Sequence, residues 1–239
     1  MKCLLKQNNP PLRKRKKMIS DFDLKNFAAD HLAADPESFL EKCIVLHKFL
    51  TEYNTRVNLT RLTTPEDFCY KHVADSLSIT RCFPEIAEKP FIIADIGCGA
   101  GFPSLILALA FPQLQITAID SIGKKITFVR QAAELLGLSN LTAVCGRSTE
   151  LNCKKEFQNK FDIVTARAVA PSPKICREAS RFLRRNGRYI FYKTPTQAAE
   201  EAPLLANMKN MRWENTPVFE LPGNAGERLF TTGIFTQHQ

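Results

Sequence analysis

No apolar run in this 239-residue chain approaches the roughly 20 residues a helix needs to cross a bilayer, so a helical membrane span is excluded and the chain reads as soluble. The eight cysteines (Cys3, Cys43, Cys69, Cys82, Cys98, Cys145, Cys153, Cys176) include no C-x-x-C pair, so a zinc site is not expected. Several of them sit inside apolar runs and read as small core hydrophobes in a reducing cytoplasm. Acids are missing from residues 1–17, whose seven lysines and arginines account for seven of the nine net positive charges. The rest of the chain is only mildly basic, and any nucleic-acid footprint on it must be a local patch. Residues 1–20 also lack hydrophobic periodicity and read as a disordered basic tail. It is either an arm that grips RNA or an extension ahead of a start at Met18, because the serines and amphipathic pattern of a transit peptide are missing too. There are no internal repeats.

What is present is enough apolar residue, 44% of the chain, for one substantial core with a small appendage. The most informative stretch is Phe91-Ile92-Ile93-Ala94-Asp95-Ile96-Gly97-Cys98-Gly99-Ala100-Gly101-Phe102-Pro103. It reads as a buried strand, a tight turn and the start of a helix. Its third glycine arrives one residue early for the G-x-G-x-x-G dinucleotide fingerprint. A second strand-like run, Leu114 to Ile119, closes on Asp120, roughly twenty residues beyond the turn. There a doubly wound sheet holds the carboxylate that takes ribose hydroxyls.

From Asp21 to about Pro90 the pattern is helical. Asp35-Pro36-Glu37 is an N-cap followed by proline at the first helical position, and Phe39, Cys43, Leu46, Leu50 and Tyr53 recur at helical spacing. Thr64-Pro65-Glu66-Asp67 opens a second helix in the same way, carrying Phe68, Cys69, His72, Asp75 and Ser76 on one side. From residue 91 strands alternate with helices: strands over 91–96, 114–119, 140–145, 161–165 and 188–193, and a clear helix from about Lys124 to Leu136 that Gly137 ends. Alternation of this kind predicts a parallel sheet covered on both faces. Segments 212–220 and 228–236 have no helix between them and are expected to pair as an antiparallel edge hairpin.

These residues resemble one family. The glycine turn after Asp95 looks like motif I of the S-adenosylmethionine (SAM) methyltransferases. Asn58-Leu59-Thr60, His72-Val73-Ala74-Asp75-Ser76-Leu77, Asp120-Ser121-Ile122-Gly123-Lys124-Lys125, Gly146-Arg147-Ser148, Ala166-Arg167-Ala168-Val169-Ala170 and Gly226-Glu227-Arg228 together resemble the small-subunit ribosomal RNA methyltransferase G family, also called glucose-inhibited division protein B. The resemblance implies a class I SAM-dependent methyltransferase: an α/β Rossmann-like core over residues 91–239 with a mostly parallel seven-stranded sheet, preceded by a helical segment over 21–90. It implies methyl transfer from SAM to N7 of a guanine in 16S rRNA, the one at position 527, by a cytoplasmic monomer without metal. It assigns Gly97, Gly99, Phe102, Asp120, Ser148, Thr149 and Arg167 to the cofactor, and Asn58, His72, Asp75, Arg147 and Lys193 to the RNA. Three positions depart from the family pattern: Lys193 is followed by Thr194, Thr149 replaces an acid, and Phe49 stands where tryptophan is common.

The implied chemistry accounts for further absences. Guanine N7 carries an in-plane lone pair and no proton, so a general base is not expected and the task is alignment. The Asp/Asn-Pro-Pro-aromatic motif of adenine-N6 enzymes and the Pro-Cys nucleophile of cytosine-C5 enzymes are both missing. Two other classes fit less well: a methyltransferase of a small molecule or protein with the same core, and a nicotinamide-binding module, which the glycine spacing opposes.

Overall fold

Runs buried on both faces form the middle of a sheet because only backbone pairing satisfies their polar groups there. In the computed structural model, which describes residues 35–236, such runs form β1 (Ile92–Ile96), β2 (Gln115–Asp120), β4 (Phe161–Arg167) and the second half of β5 (Leu183–Lys193), while β3 (Leu141–Cys145) is a half-buried edge strand. All pair in parallel. The spatial order β3-β2-β1-β4-β5 means that the chain winds outward from β1 to β3 and then returns to β4 on the other side. The strand order therefore reverses between β1 and β4, where an open α/β sheet forms a crevice at its carboxyl end. The tail (1–20) and the first part of the N-terminal segment, up to residue 34, lie outside the described residues.

The antiparallel edge is present but divided. β8 (Glu227–Phe235) lies between β5 and β6 (Met211–Asn215), and β7 (Phe219–Glu220) pairs with the start of β8. The sheet thus has eight strands where seven were expected. Segment 212–220 splits because Pro217 has no N–H for the ladder. Thr216 closes β6 instead, donating its N–H to Phe230 O (2.9 Å) and accepting Phe230 N–H on Oγ1 (2.9 Å).

Helix α1 (Pro36–Asn54) starts as expected, with Asp35 accepting from the N–H groups of Glu37 and Ser38. Its buried Phe39, Cys43, Leu46 and Leu50 belong to the same apolar cluster as Ile93 and Ile116 of the sheet. Phe49 and Tyr53 pack against Phe128 of α3 (Gly123–Leu136), ring centroids 5.2 and 5.1 Å apart. Helix α2 (Ser104–Ala110) leaves the glycine turn, and α3 ends on Gly137 at φ 69°. Between α1 and β1 the second predicted helix is not a regular α-helix. Pro65–Asp67 leads into a π-helical stretch, Phe68–Ala74, and then Asp75–Leu77. Asp75 N–H bonds to Tyr70 O and His72 O instead of Lys71 O, its partner in an α-helix. Extra residues of this kind are inserted at functional sites more often than elsewhere.

Candidate active site

A cavity of about 750 Å³ opens at the carboxyl ends of β1 to β4. Its floor is the glycine turn, with Gly97, Gly99 and Gly101 at φ 68°, 58° and 85°. A Cβ on Gly97 would lie 2.4 Å from Val169 Cγ1, whereas one on Gly99 would meet nothing closer than Gly97 O at 4.0 Å. Gly99 therefore presents bare backbone to open space. The turn is tied to β2 by Cys98 N–H to Ile119 O (2.9 Å) and by Gly99 N–H to Asp120 Oδ2 (3.0 Å). Ile122 N–H holds the other oxygen, Oδ1, at 2.9 Å. Each carboxylate oxygen keeps a further acceptor site, so Asp120 is fixed in orientation and still able to take two hydroxyls.

Beyond β3 the lining continues through Arg147, Ser148 and Thr149. The short helix α4 (Ser148–Leu151) has Arg147 as its N-cap with no side-chain bond, so Ser148 is not a cap. Its Oγ donates instead to Glu178 Oε2 (2.9 Å), on α5 (Ser172–Glu178). Among the cavity residues Ile122 and Val169 are 40% and 46% exposed, large apolar groups whose covering would favour a ligand.

The opposite wall is a buried polar cluster. Arg167, ending β4, donates Nη1 to Lys71 O and to Asp75 Oδ2, both at 2.8 Å, and Nη2 lies 3.4 Å from His72 Nδ1. The π-helical stretch thus supplies the carbonyl that holds Arg167. Asp75 Oδ1 accepts Nε of Arg228 from β8 (3.0 Å), so both oxygens of Asp75 are engaged by arginines. The His72 ring stacks on Phe102 at 4.1 Å and 12°. Its Nε2 lies 3.2 Å from Leu62 O, a carbonyl that can only accept, so Nε2 carries the proton and Nδ1 is the acceptor facing Arg167.

Burial, reinforced by the charge of Arg167, pushes the His72 pKa down to about 3. The unfolded chain therefore binds one more proton than the folded chain between about pH 3 and 6.5, and stability from this group falls as pH drops through that window. Asp95 runs the other way. Burial pushes its pKa up to about 6 against the opposing bond from Ser104 Oγ, and the two effects offset each other between about pH 4 and 6. The difference in stability between wild type and His72→Gln isolates the histidine. It is expected to grow by about 1.4 kcal/mol per pH unit from pH 3 to 6.5 in urea titrations, and a difference independent of pH would mean that His72 is protonated in the fold.

The cavity brings together Gly97, Gly99, Phe102, Asp120, Ser148, Thr149, Arg147, His72 and Arg167. Three expected residues lie elsewhere. Asn58 is exposed and outside the lining, although its neighbours Leu59 and Thr60 belong to it. That turn is held by Asn54, whose Oδ1 accepts from the N–H groups of Leu59 (2.8 Å) and Thr60 (3.0 Å). Asp75 sits behind Arg167. Lys193 is buried under α6 (Pro195–Ala206), its Nζ 2.7 Å from Glu201 Oε1, and it does not reach the cavity. Sequence reasoning missed Glu178 entirely, and found Arg228 only through the Gly226-Glu227-Arg228 motif. Among the described residues no cluster of three or more His, Cys, Asp or Glu is placed to hold a metal ion.

Residues 40–225 match the family model for rRNA small subunit methyltransferase G. The ribosomal RNA small subunit methyltransferases G of Streptococcus pyogenes serotypes M12 (strain MGAS2096) and M5 (strain Manfredo) are each 41% identical over 155 residues, 64% of this chain. The matched stretch also spans 64% of the length of those relatives. Among solved structures, the cofactor-bound Rv0187 from MTB superimposes with a TM-score of 0.62 at 17% identity, covering 98% of this chain and 100% of that one. A putative O-methyltransferase from Klebsiella pneumoniae gives 0.59 at 15% identity, covering 92% and 100%. At such identities the likeness establishes the fold.

Proposed function

The chain belongs to the rRNA small subunit methyltransferase G family, and from that premise we propose that it transfers a methyl group from SAM to N7 of a guanine in 16S rRNA, as a cytoplasmic monomer without metal. The observation that carries this reading is the joint between the glycine turn and Asp120, closed by the Gly99 N–H bond at 3.0 Å between the ends of β1 and β2, next to the point where the strand order reverses. The residues fit the cofactor: open backbone at Gly99, a pre-oriented carboxylate for ribose hydroxyls, and exposed Ile122 and Val169 for an aromatic base to cover.

SAM, when bound, supplies a methyl group on a sulfonium, an electrophile that an unprotonated ring nitrogen attacks directly. The chain's residues then need only align and shield. Phe102 and His72 provide a flat, stacked wall. Arg167 is held by three partners, so it offers fixed charge without reorganising. Its oriented donors suit the guanine O6 edge, provided that N7 remains free. A histidine whose pKa lies near 3 is a weak proton acceptor, which supports a base-free step.

Purified protein, labelled SAM and small ribosomal subunits or their rRNA test the proposal. Label is expected in 16S rRNA, at a single guanine whose N7-methylation makes the chain cleavable after reduction; label in protein, or at another ring position, would overturn it. With saturating substrate the single-turnover rate is expected to stay flat from about pH 6 to 8. A single-proton step lost in His72→Gln would instead identify His72 as a base.

A further inference from the structure

Glu178 is an acidic cavity residue that the proposed chemistry leaves without a role. It lies one helical turn from Ile175 on α5, so both face the same way, and both line the cavity. Its side chain is 27% exposed. Oε2 accepts from Ser148 Oγ at 2.9 Å, which fixes the carboxylate against the loop after β3. Oε1 is 3.9 Å from Lys174 Nζ, too far for a hydrogen bond, and Lys174 itself is 59% exposed. Oε1 therefore keeps acceptor capacity in a cavity whose lining also includes the apolar Ile122, Ile175 and Ala170. Thr149, at the same edge, adds a hydroxyl but no carboxylate.

An anionic acceptor in a cavity that also has apolar lining suits a planar ring with an amine on its edge. It disfavours a ring with a carbonyl there, because the second carboxylate oxygen would then face an acceptor and gain no donor from the ligand. We propose that Glu178 is a specificity-determining residue that accepts a hydrogen bond from the exocyclic amine of the cofactor's adenine. The inference rests on the cofactor reading given above. Ser148 serves as its positioning partner, so the adenine end is read by a residue from α5 and not by the loop after β3 alone.

Calorimetry with S-adenosylhomocysteine and S-inosylhomocysteine, in which a carbonyl replaces the amine, tests this. Wild type is expected to bind the adenine compound at least about tenfold more tightly, since a site built around a donor rejects the analogue lacking it. Glu178→Gln keeps the shape and can present either an amide donor or its carbonyl, so the preference is expected to shrink to about threefold or less, or to reverse. Equal binding of the two by wild type, or an undiminished preference in the variant, would overturn the role of Glu178 while leaving the cofactor site standing. Failure of wild type to bind either compound would overturn the cofactor reading and this inference with it. Ser148→Ala frees the carboxylate and is expected to weaken the preference part of the way, and a preference untouched by it would deny Ser148 its positioning role.

Discussion

Asp75→Ala is expected to lower folding stability by about 3–5 kcal/mol, the cost of leaving buried partners of an ion pair uncompensated. The carboxylate is 5% exposed and sits between two arginines that are 16% and 20% exposed. Removing it leaves two like charges facing each other across the space it filled. Water can reach Arg228 in part, which favours the lower end of the range. It also releases Arg167, whose other anchors are Lys71 O and His72, so the proposed methyl transfer should fall together with stability. Urea denaturation followed by circular dichroism measures the first effect. A loss below about 1 kcal/mol would mean that both guanidinium groups find solvent as good a partner as Asp75. Arg228→Met removes one of the two charges, so in a double-mutant cycle the combined loss should be less than the sum of the single losses.

Gly97→Val should reduce SAM affinity at least tenfold, about 1.4 kcal/mol, while the protein still folds. Two costs combine. A branched side chain at φ 68° is strained by about 1–2 kcal/mol, and its Cβ would lie 2.4 and 2.5 Å from the two methyl carbons of Val169. Val169 must move, and Val169 belongs to the cavity rim. A stability margin of about 5–15 kcal/mol absorbs the strain, but the altered rim remains. Gly99→Ala separates the contributions, because its φ is also positive while its Cβ would meet nothing closer than Gly97 O at 4.0 Å. If that variant loses affinity beyond its loss of stability, a ligand lies against Gly99. Unchanged affinity in Gly97→Val would displace the cofactor from this turn altogether.

Much of this protein was determined locally by its sequence, because local signals have local causes. The Asp35 and Thr64 caps, the Gly137 stop and the glycine turn all depend on residues within one or two turns of each other, and Asp120 follows at the short spacing a strand–helix–strand unit sets. Buried runs must pair, so the alternation of strand and helix specified a parallel sheet. What only tertiary structure decided involves partners distant in the chain. Lys193 stands beside residues that read as the cavity mouth, yet it pairs with Glu201 beneath α6. Asp75 reads as a substrate ligand, but Arg167 and Arg228, 92 and 153 positions away, take both its oxygens. The π-helical stretch left no trace in the hydrophobic period, since one extra residue barely shifts an apolar stripe, although it decides which carbonyl is left for Arg167. Glu178 carries no motif at all. It reaches Ser148 across 30 residues because parallel strands bring the loops after β3 and β4 to the same end of the sheet, a closeness that no local pattern encodes.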